Sequence, residues 1–184
     1  MHDGKPNRWT KHLGAGMWVT ALGLLAPLTG NARAPEAAPV LLTCTGSERA
    51  TFTPGLKLYP QTVSTRIEQQ LAPCVGDERI TSGTAVLAFT AEQACLSTDL
   101  PGTVPGAQTL TWNTGETSRF VYTKTYVQNA GLVVAIKTGT ITEGLFAGAT
   151  AVMSIPATSN VLACLSAEGN TVNTALIEFV LTAP

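Results

Sequence analysis

Between residues 40 and 182 the apolar positions recur at every second residue in short runs, and most runs end at a cluster of Gly, Pro, Asn or Asp. Alternation of this kind sends successive side chains to opposite faces of a strand. It is clearest over Thr117 to Gln128, where Phe120, Tyr122, Lys124 and Tyr126 share one face and Arg119, Val121, Thr123, Thr125 and Val127 the other. With Ala107 to Trp112 this segment predicts a hairpin closed by the turn Asn113-Thr114-Gly115-Glu116.

The remaining segments follow the same rule. Val40 to Phe52 runs into the turn signal Thr53-Pro54-Gly55, and Gln61 to Leu71 runs into Pro73 and Gly76-Asp77-Glu78. Val63, Ile67 and Leu71 also fit one face of a helix, so that second segment is open to two readings. Ile80 to Cys95 is interrupted by Gly83, which suggests a bulge. After a Pro/Gly loop at Leu100 to Gly106 and the hairpin, Leu132 to Thr142, Thr150 to Ile155 and Thr171 to Leu181 complete the pattern. Pro156 to Asn160 reads as a loop, and Ile177, Phe179 and Leu181 as an inner face. Eight or nine such strands predict an all-β, antiparallel β-sandwich of immunoglobulin-like or Greek-key type, with a closed barrel as the alternative. The 25 threonines after Ala34 suit solvated strand faces, where a β-branched polar side chain keeps strand geometry and meets water.

Residues 1–34 break the pattern. Lys5, Arg8 and Lys11 precede an apolar stretch from Leu13 to Leu28, and Ala32-Arg33-Ala34 has the form of a cleavage site. This is the plan of a secretory signal peptide, and the interruptions at Gly14, Gly16, Gly23 and Pro27 make it a poor transmembrane span. Cleavage is expected after Ala34 or Ala32. Residues 35–43 then form an N-terminal extension and the start of the first strand, and residues 44–184 one domain. The signal holds four of the 11 basic and one of the 12 acidic residues, so the remaining 150 residues carry a net charge of −4. No basic stripe survives for a nucleic acid, and no membrane association is expected once the signal is removed.

Export would place Cys44, Cys74, Cys95 and Cys164 in an oxidising compartment, where an even count predicts two disulfides. Of the three pairings, Cys44 with Cys74 is favoured, because the two flank the Pro54 to Pro60 turn almost symmetrically, as the open ends of a hairpin would. That leaves Cys95 with Cys164. None of the CxxC spacings of metal or redox sites is present.

Both histidines, His2 and His12, fall in the signal segment. A Ser-His-Asp triad, a Cys-His pair and a histidine-ligated zinc are therefore excluded from the exported chain. Asp77, Glu78, Asp99, Glu116, Glu143 and Glu168 are scattered near turns, as solvated carboxylates are, rather than paired as in a glycosidase. Lys57, Lys124 and Lys137 lack a serine in a nucleophile setting, and Gly76-Asp77-Glu78 lacks calcium-loop spacing. Gly144-Leu145-Phe146-Ala147-Gly148 reads as a tight strand connection, not a phosphate loop. No catalytic residue, cofactor or metal site is expected.

Binding residues are the alternative. Trp112 reads first as core and second as a partner anchor; Phe120, Tyr122 and Tyr126 could form an aromatic binding face or a core face. Val40-Leu41-Leu42 could be donated as a strand to a partner's sheet edge.

The segments Cys44-Thr45-Gly46, Phe52-Thr53-Pro54-Gly55-Leu56, Thr111-Trp112-Asn113-Thr114-Gly115 and Leu162-Ala163-Cys164-Leu165, with Cys74 and Gly144 to Gly148, resemble small secreted actinobacterial two-disulfide β proteins. Within that group the chain is similar to the small adaptor subunit of Streptomyces umbrella toxin particles. The resemblance implies an exported, non-catalytic connector that docks another secreted protein. The expectation is therefore a secreted protein-binding adaptor. The alternatives are a small-ligand or carbohydrate-binding module with Trp112, Tyr122 or Tyr126 as platform, or a protease inhibitor presenting Leu56 to Pro60.

Overall fold

The computed structural model describes residues 37–95, 102–129, 132–157 and 161–184. The expected signal peptide lies outside them. Eight strands follow one another around a closed antiparallel barrel: β1 (Val40–Leu56), β2 (Gln61–Val75), β3 (Gly83–Gln93), β4 (Thr103–Trp112), β5 (Thr117–Asn129), β6 (Leu132–Gly144), β7 (Thr150–Ala157) and β8 (Asn170–Thr182). A short helix, α1 (Val161–Cys164), lies in the β7–β8 connection. Each strand pairs with its neighbours in sequence, and β1 closes the ring on β8 from Val40↔Thr182 to Leu56↔Asn170.

The expected sandwich is thus corrected to a barrel. Strand alternation fixes which residues share a face, but it is the same whether a sheet closes on itself or packs on a second sheet. Five local readings are settled or corrected as well, among them the loop expected from Pro156, since Pro156 and Ala157 belong to β7. The β2 segment is a strand, with Val63, Thr65, Ile67, Gln69 and Leu71 all turned inward; positions four apart coincide in period 2 and period 3.6. Gly83 is no bulge, because β2 and β3 pair without a register shift. A Cβ there would lie 2.7 Å from the Trp112 ring, so glycine makes room for the indole. Thr53-Pro54-Gly55 is strand, the turn falling after Leu56, and Pro105 and Gly106 belong to β4 rather than to a loop.

The two ends of the barrel differ. The end bearing the β2–β3, β4–β5 and β6–β7 turns is packed solid by Leu42, Leu71, Ile80, Leu110, Phe120, Ile141, Met153, Phe179 and Leu181, all without solvent exposure. An aromatic column runs through it, with Trp112 against Phe146 at 5.8 Å and against Phe179 at 6.5 Å, and Phe179 against Phe120 at 5.9 Å. Trp112 is therefore core, and its Nε1 donates to Ser118 Oγ at 2.8 Å. Asn113 ties two turns together, its Oδ1 accepting from the Thr81 and Ser82 amides while its Nδ2 donates to the Arg79 carbonyl. Gly144 to Gly148 forms the tight β6–β7 connection, with Phe146 at φ 64°.

Both expected disulfides are present. Cys44–Cys74 joins directly paired residues of β1 and β2 in the packed end. Cys95–Cys164 spans 69 residues and joins the segment after β3 to α1, on opposite sides of the ring at the other end. Two disulfides are consistent with an extracellular protein.

Candidate functional site

Above the packed half the barrel is hollow. A cavity of about 750 Å³ is enclosed by all eight strands and lined by Glu48, Phe52, Thr65, Ile67, Leu87, Phe89, Gln108, Tyr122, Lys124, Tyr126, Ala135 and Lys137. Its size falls in the range of small-molecule sites. An eight-stranded barrel has an interior just wide enough to be filled by side chains or to hold one small ligand, and small residues decide which. Here Gly106, Ala135 and Ala175 line the hollow half, where the packed half carries Phe and Leu.

The floor of the cavity is polar and continuous. Lys137 Nζ donates to Gln108 Oε1 at 2.7 Å, Gln108 Nε2 to Gln69 Oε1 at 2.9 Å, and Gln69 Nε2 to Glu48 Oε2 at 2.7 Å. The row crosses from β6 through β4 and β2 to β1. Its direction is fixed by its ends: an ammonium can only donate and a carboxylate only accept, so each amide turns its oxygen toward Lys137 and its nitrogen toward Glu48. Lys137, Gln108 and Gln69 are 4%, 5% and 1% exposed. Gln69 also touches Met153 Sδ at 3.6 Å, where the polar floor meets the apolar core.

Lys137 sits below the Tyr122 ring, its Nζ 4.8 Å from the ring centroid. Burial lowers its pKa to about 8, with Glu48 opposing the shift and Lys124 adding to it. Burial, with the charges of Glu48 and Tyr126, pushes the Tyr122 phenol above its usual value, so it stays protonated as a donor. Gly106 makes that arrangement possible, since a Cβ there would lie 2.6 Å from the Tyr122 ring. Lys124 Nζ lies 5.1 Å from the centroid of the Tyr126 ring.

Access is lateral. β3 and β4 pair only at Gly83↔Trp112 and Thr84↔Thr111, next to the packed end. Beyond that point the two strands part, and the cavity is bounded by residues from both faces of each: Leu87 and Phe89 with Val86 and Ala88, and Gly106 and Gln108 with Ala107 and Thr109. A cavity that touches both faces of a strand passes around its edge, so the β3–β4 seam is a side opening. Among the described residues, two ties cross the mouth of the barrel. Lys57 Nζ donates to the Ser166 and Ala167 carbonyls at 2.9 and 2.7 Å, and the Cys95–Cys164 disulfide holds the α1 connection from the other side. Ala50, Phe52, Leu56 and Val63 pack a small second cluster there.

Of the site residues expected from sequence, Tyr122 and Tyr126 come together on the cavity wall, facing the lumen rather than an outer surface. Phe120 lies in the core below them. Trp112 is 2% exposed and distant in role from any platform. Val40-Leu41-Leu42 is part of the barrel wall, paired with β8, and Leu42 is fully buried. Donation of that segment would require opening the ring. Glu48, Gln69, Gln108 and Lys137 were not singled out by the sequence as a binding set. The available signal was parity: Lys137 lies in step with Ala135, Gly139 and Ile141, and it stands opposite Lys124, which shares a face with Phe120, Tyr122 and Tyr126. Among the described residues no group of three His, Cys, Asp or Glu side chains is placed to hold a metal ion.

Comparisons with known protein families, with curated proteins and with solved structures find no match to this chain.

Proposed function

We propose that this protein is an exported, non-catalytic barrel that binds one small amphipathic molecule in its lumen, admitted through the β3–β4 seam. The observation that carries this reading is the cavity of about 750 Å³ with an apolar wall and a floor of buried Lys137, Gln108 and Gln69 ending on half-buried Glu48. A barrel interior of this width could have been filled with side chains. An apolar cavity with a few convergent polar groups is the usual form of a ligand site.

Titration of the disulfide-intact protein with N-phenyl-1-naphthylamine, a neutral dye that brightens in apolar surroundings, tests it. One saturable site is expected, lost in Ala135→Trp, which fills the lumen beside Tyr126. No fluorescence gain, or a gain insensitive to that substitution, contradicts lumen binding.

The adaptor reading keeps one foothold, the unpaired edges of β3 and β4 beyond Thr84 and Thr111. Val86 and Phe89, 55% and 44% exposed, stand beside them, and an extended segment of another secreted protein could pair there. A partner recovered in stoichiometric amount from culture supernatant by the wild-type chain, and not by Val86→Lys, is the expected result of that reading. Equal recovery by both contradicts it.

A further inference from the structure

We infer that the lumen takes an amphipathic anion, a carboxylate or similar single negative group on an apolar tail, with its charged end on Lys137 and Lys124. This rests on the lumen being a binding site and names the chemical class of what fills it. Lys124 and Lys137 are directly opposed residues of β5 and β6, and both line the cavity. Like charges facing each other across two strands repel. Such a pair ordinarily has acidic neighbours, yet among the described residues neither ammonium has a carboxylate at ion-pair distance. Each is covered by an aromatic face instead, Tyr122 for Lys137 and Tyr126 for Lys124.

The hydrogen-bonding inventory points the same way. An ammonium has three N–H donors, and Lys137 spends one, on Gln108. The nearest acid along the floor, Glu48, is separated from Lys137 by two amide side chains, and one of its oxygens already accepts from Gln69. A cation buried to this degree with donors unspent is suited to an incoming anion, for which a charge-assisted hydrogen bond is strong. The protonated Tyr122 hydroxyl supplies a further donor nearby. Phe52, Ile67, Leu87 and Phe89 on the opposite wall leave room for a tail that runs toward the seam.

The test compares three ten-carbon competitors, decanoate, decanol and decylamine, as displacers of N-phenyl-1-naphthylamine from the wild-type, disulfide-intact protein, each below its aggregation concentration. Decanol is the more apolar, so simple partition into a greasy cavity favours it over decanoate. The expected result is that decanoate displaces the dye at about tenfold lower concentration than decanol, with decylamine weakest. Lys137→Met should bring the decanoate-to-decanol ratio to about one, and Lys124→Met, at a partly exposed site, should reduce it by less. Dye binding with decanol or decylamine equal to or better than decanoate overturns the anion while leaving the lumen site standing. Failure of the dye itself to bind removes both. The wild-type comparison decides the matter even where a variant does not fold.

Discussion

The two halves of this barrel are built from the same strands and differ in what those strands turn inward. In the packed half the inward residues are Phe120, Phe179, Leu110, Leu181 and Ile141, and the aromatic column leaves no space. In the hollow half the same strands turn in Lys124, Lys137, Gln108, Ala135 and Ala175. A strand therefore changes role along its own length: β5 passes from Phe120 in the core to Tyr122 at the boundary to Lys124 in the cavity. The contrast separates two functions. The packed half holds the ring together, and so the hollow half can carry a buried cation that a core selected for stability alone would replace with an apolar side chain.

The largest effects should come from breaking the packed half and the cross-mouth tie. Phe179→Ala removes a fully buried ring in contact with Trp112 and Phe120 and should cost about 3–5 kcal/mol in urea unfolding. Removing Cys95–Cys164 by a double serine substitution frees a loop of 69 residues and should cost roughly 4 kcal/mol by the chain-entropy argument. That loss would be measured as a shift of the unfolding midpoint. In the hollow half the sign should reverse. Lys137→Met, of similar length and without the charge, should raise the stability of the ligand-free protein by roughly 1–3 kcal/mol.

The pH dependence follows from the same residue. Lys137 has its pKa lowered by burial to about 8, so between there and the usual lysine value the unfolded chain holds the proton more tightly. Stability from this group should therefore be lowest below pH 8 and rise as the pH climbs from about 8 toward 10. Thermal midpoints across that range should show the rise in the wild type and not in Lys137→Met. The raised Tyr122 phenol acts in the opposite direction, but only above its own usual range. The smallest effect belongs to the surface. Arg66→Ala, which removes an exposed bridge to Glu68 at 3.0 Å, should change stability by less than about 0.5 kcal/mol.

This division also explains what could be read in advance. Strand positions were legible from alternation, which separates the two faces of β5 residue by residue, leaving open which of them is inner, and marks Ile177, Phe179 and Leu181 as the inner face of β8. The disulfide pairing followed from the symmetry of Cys44 and Cys74 about the first turn. Closure into a barrel was not legible, since it depends on β1 meeting β8 across more than a hundred residues and leaves no local trace in alternation. The cavity floor was hidden for a different reason. In β6 the conspicuous apolar residues Val134 and Ile136 lie on the parity opposite to Lys137, so hydrophobicity alone points the lysine outward. The glutamines of β2 and β4 differ: Gln69 shares its parity with Val63, Ile67 and Leu71, and Gln108 with Leu110 and Trp112, so alternation points both inward while their polarity argues for solvent, and they are among the most buried polar residues in the fold. Where a binding site occupies the interior, the rule that polar residues face solvent fails at the residues that matter for it.

The most direct test is an amide NMR titration of the full, disulfide-bonded chain with N-phenyl-1-naphthylamine, followed residue by residue. Shifts are expected at Glu48 to Phe52, Gly106 to Gln108, Tyr122 to Tyr126 and Ala135 to Lys137, with Leu42, Leu110, Phe179 and Leu181 unmoved. Shifts confined to the outer faces of the strands, or spread evenly through both halves, would contradict a barrel whose hollow half is a ligand site.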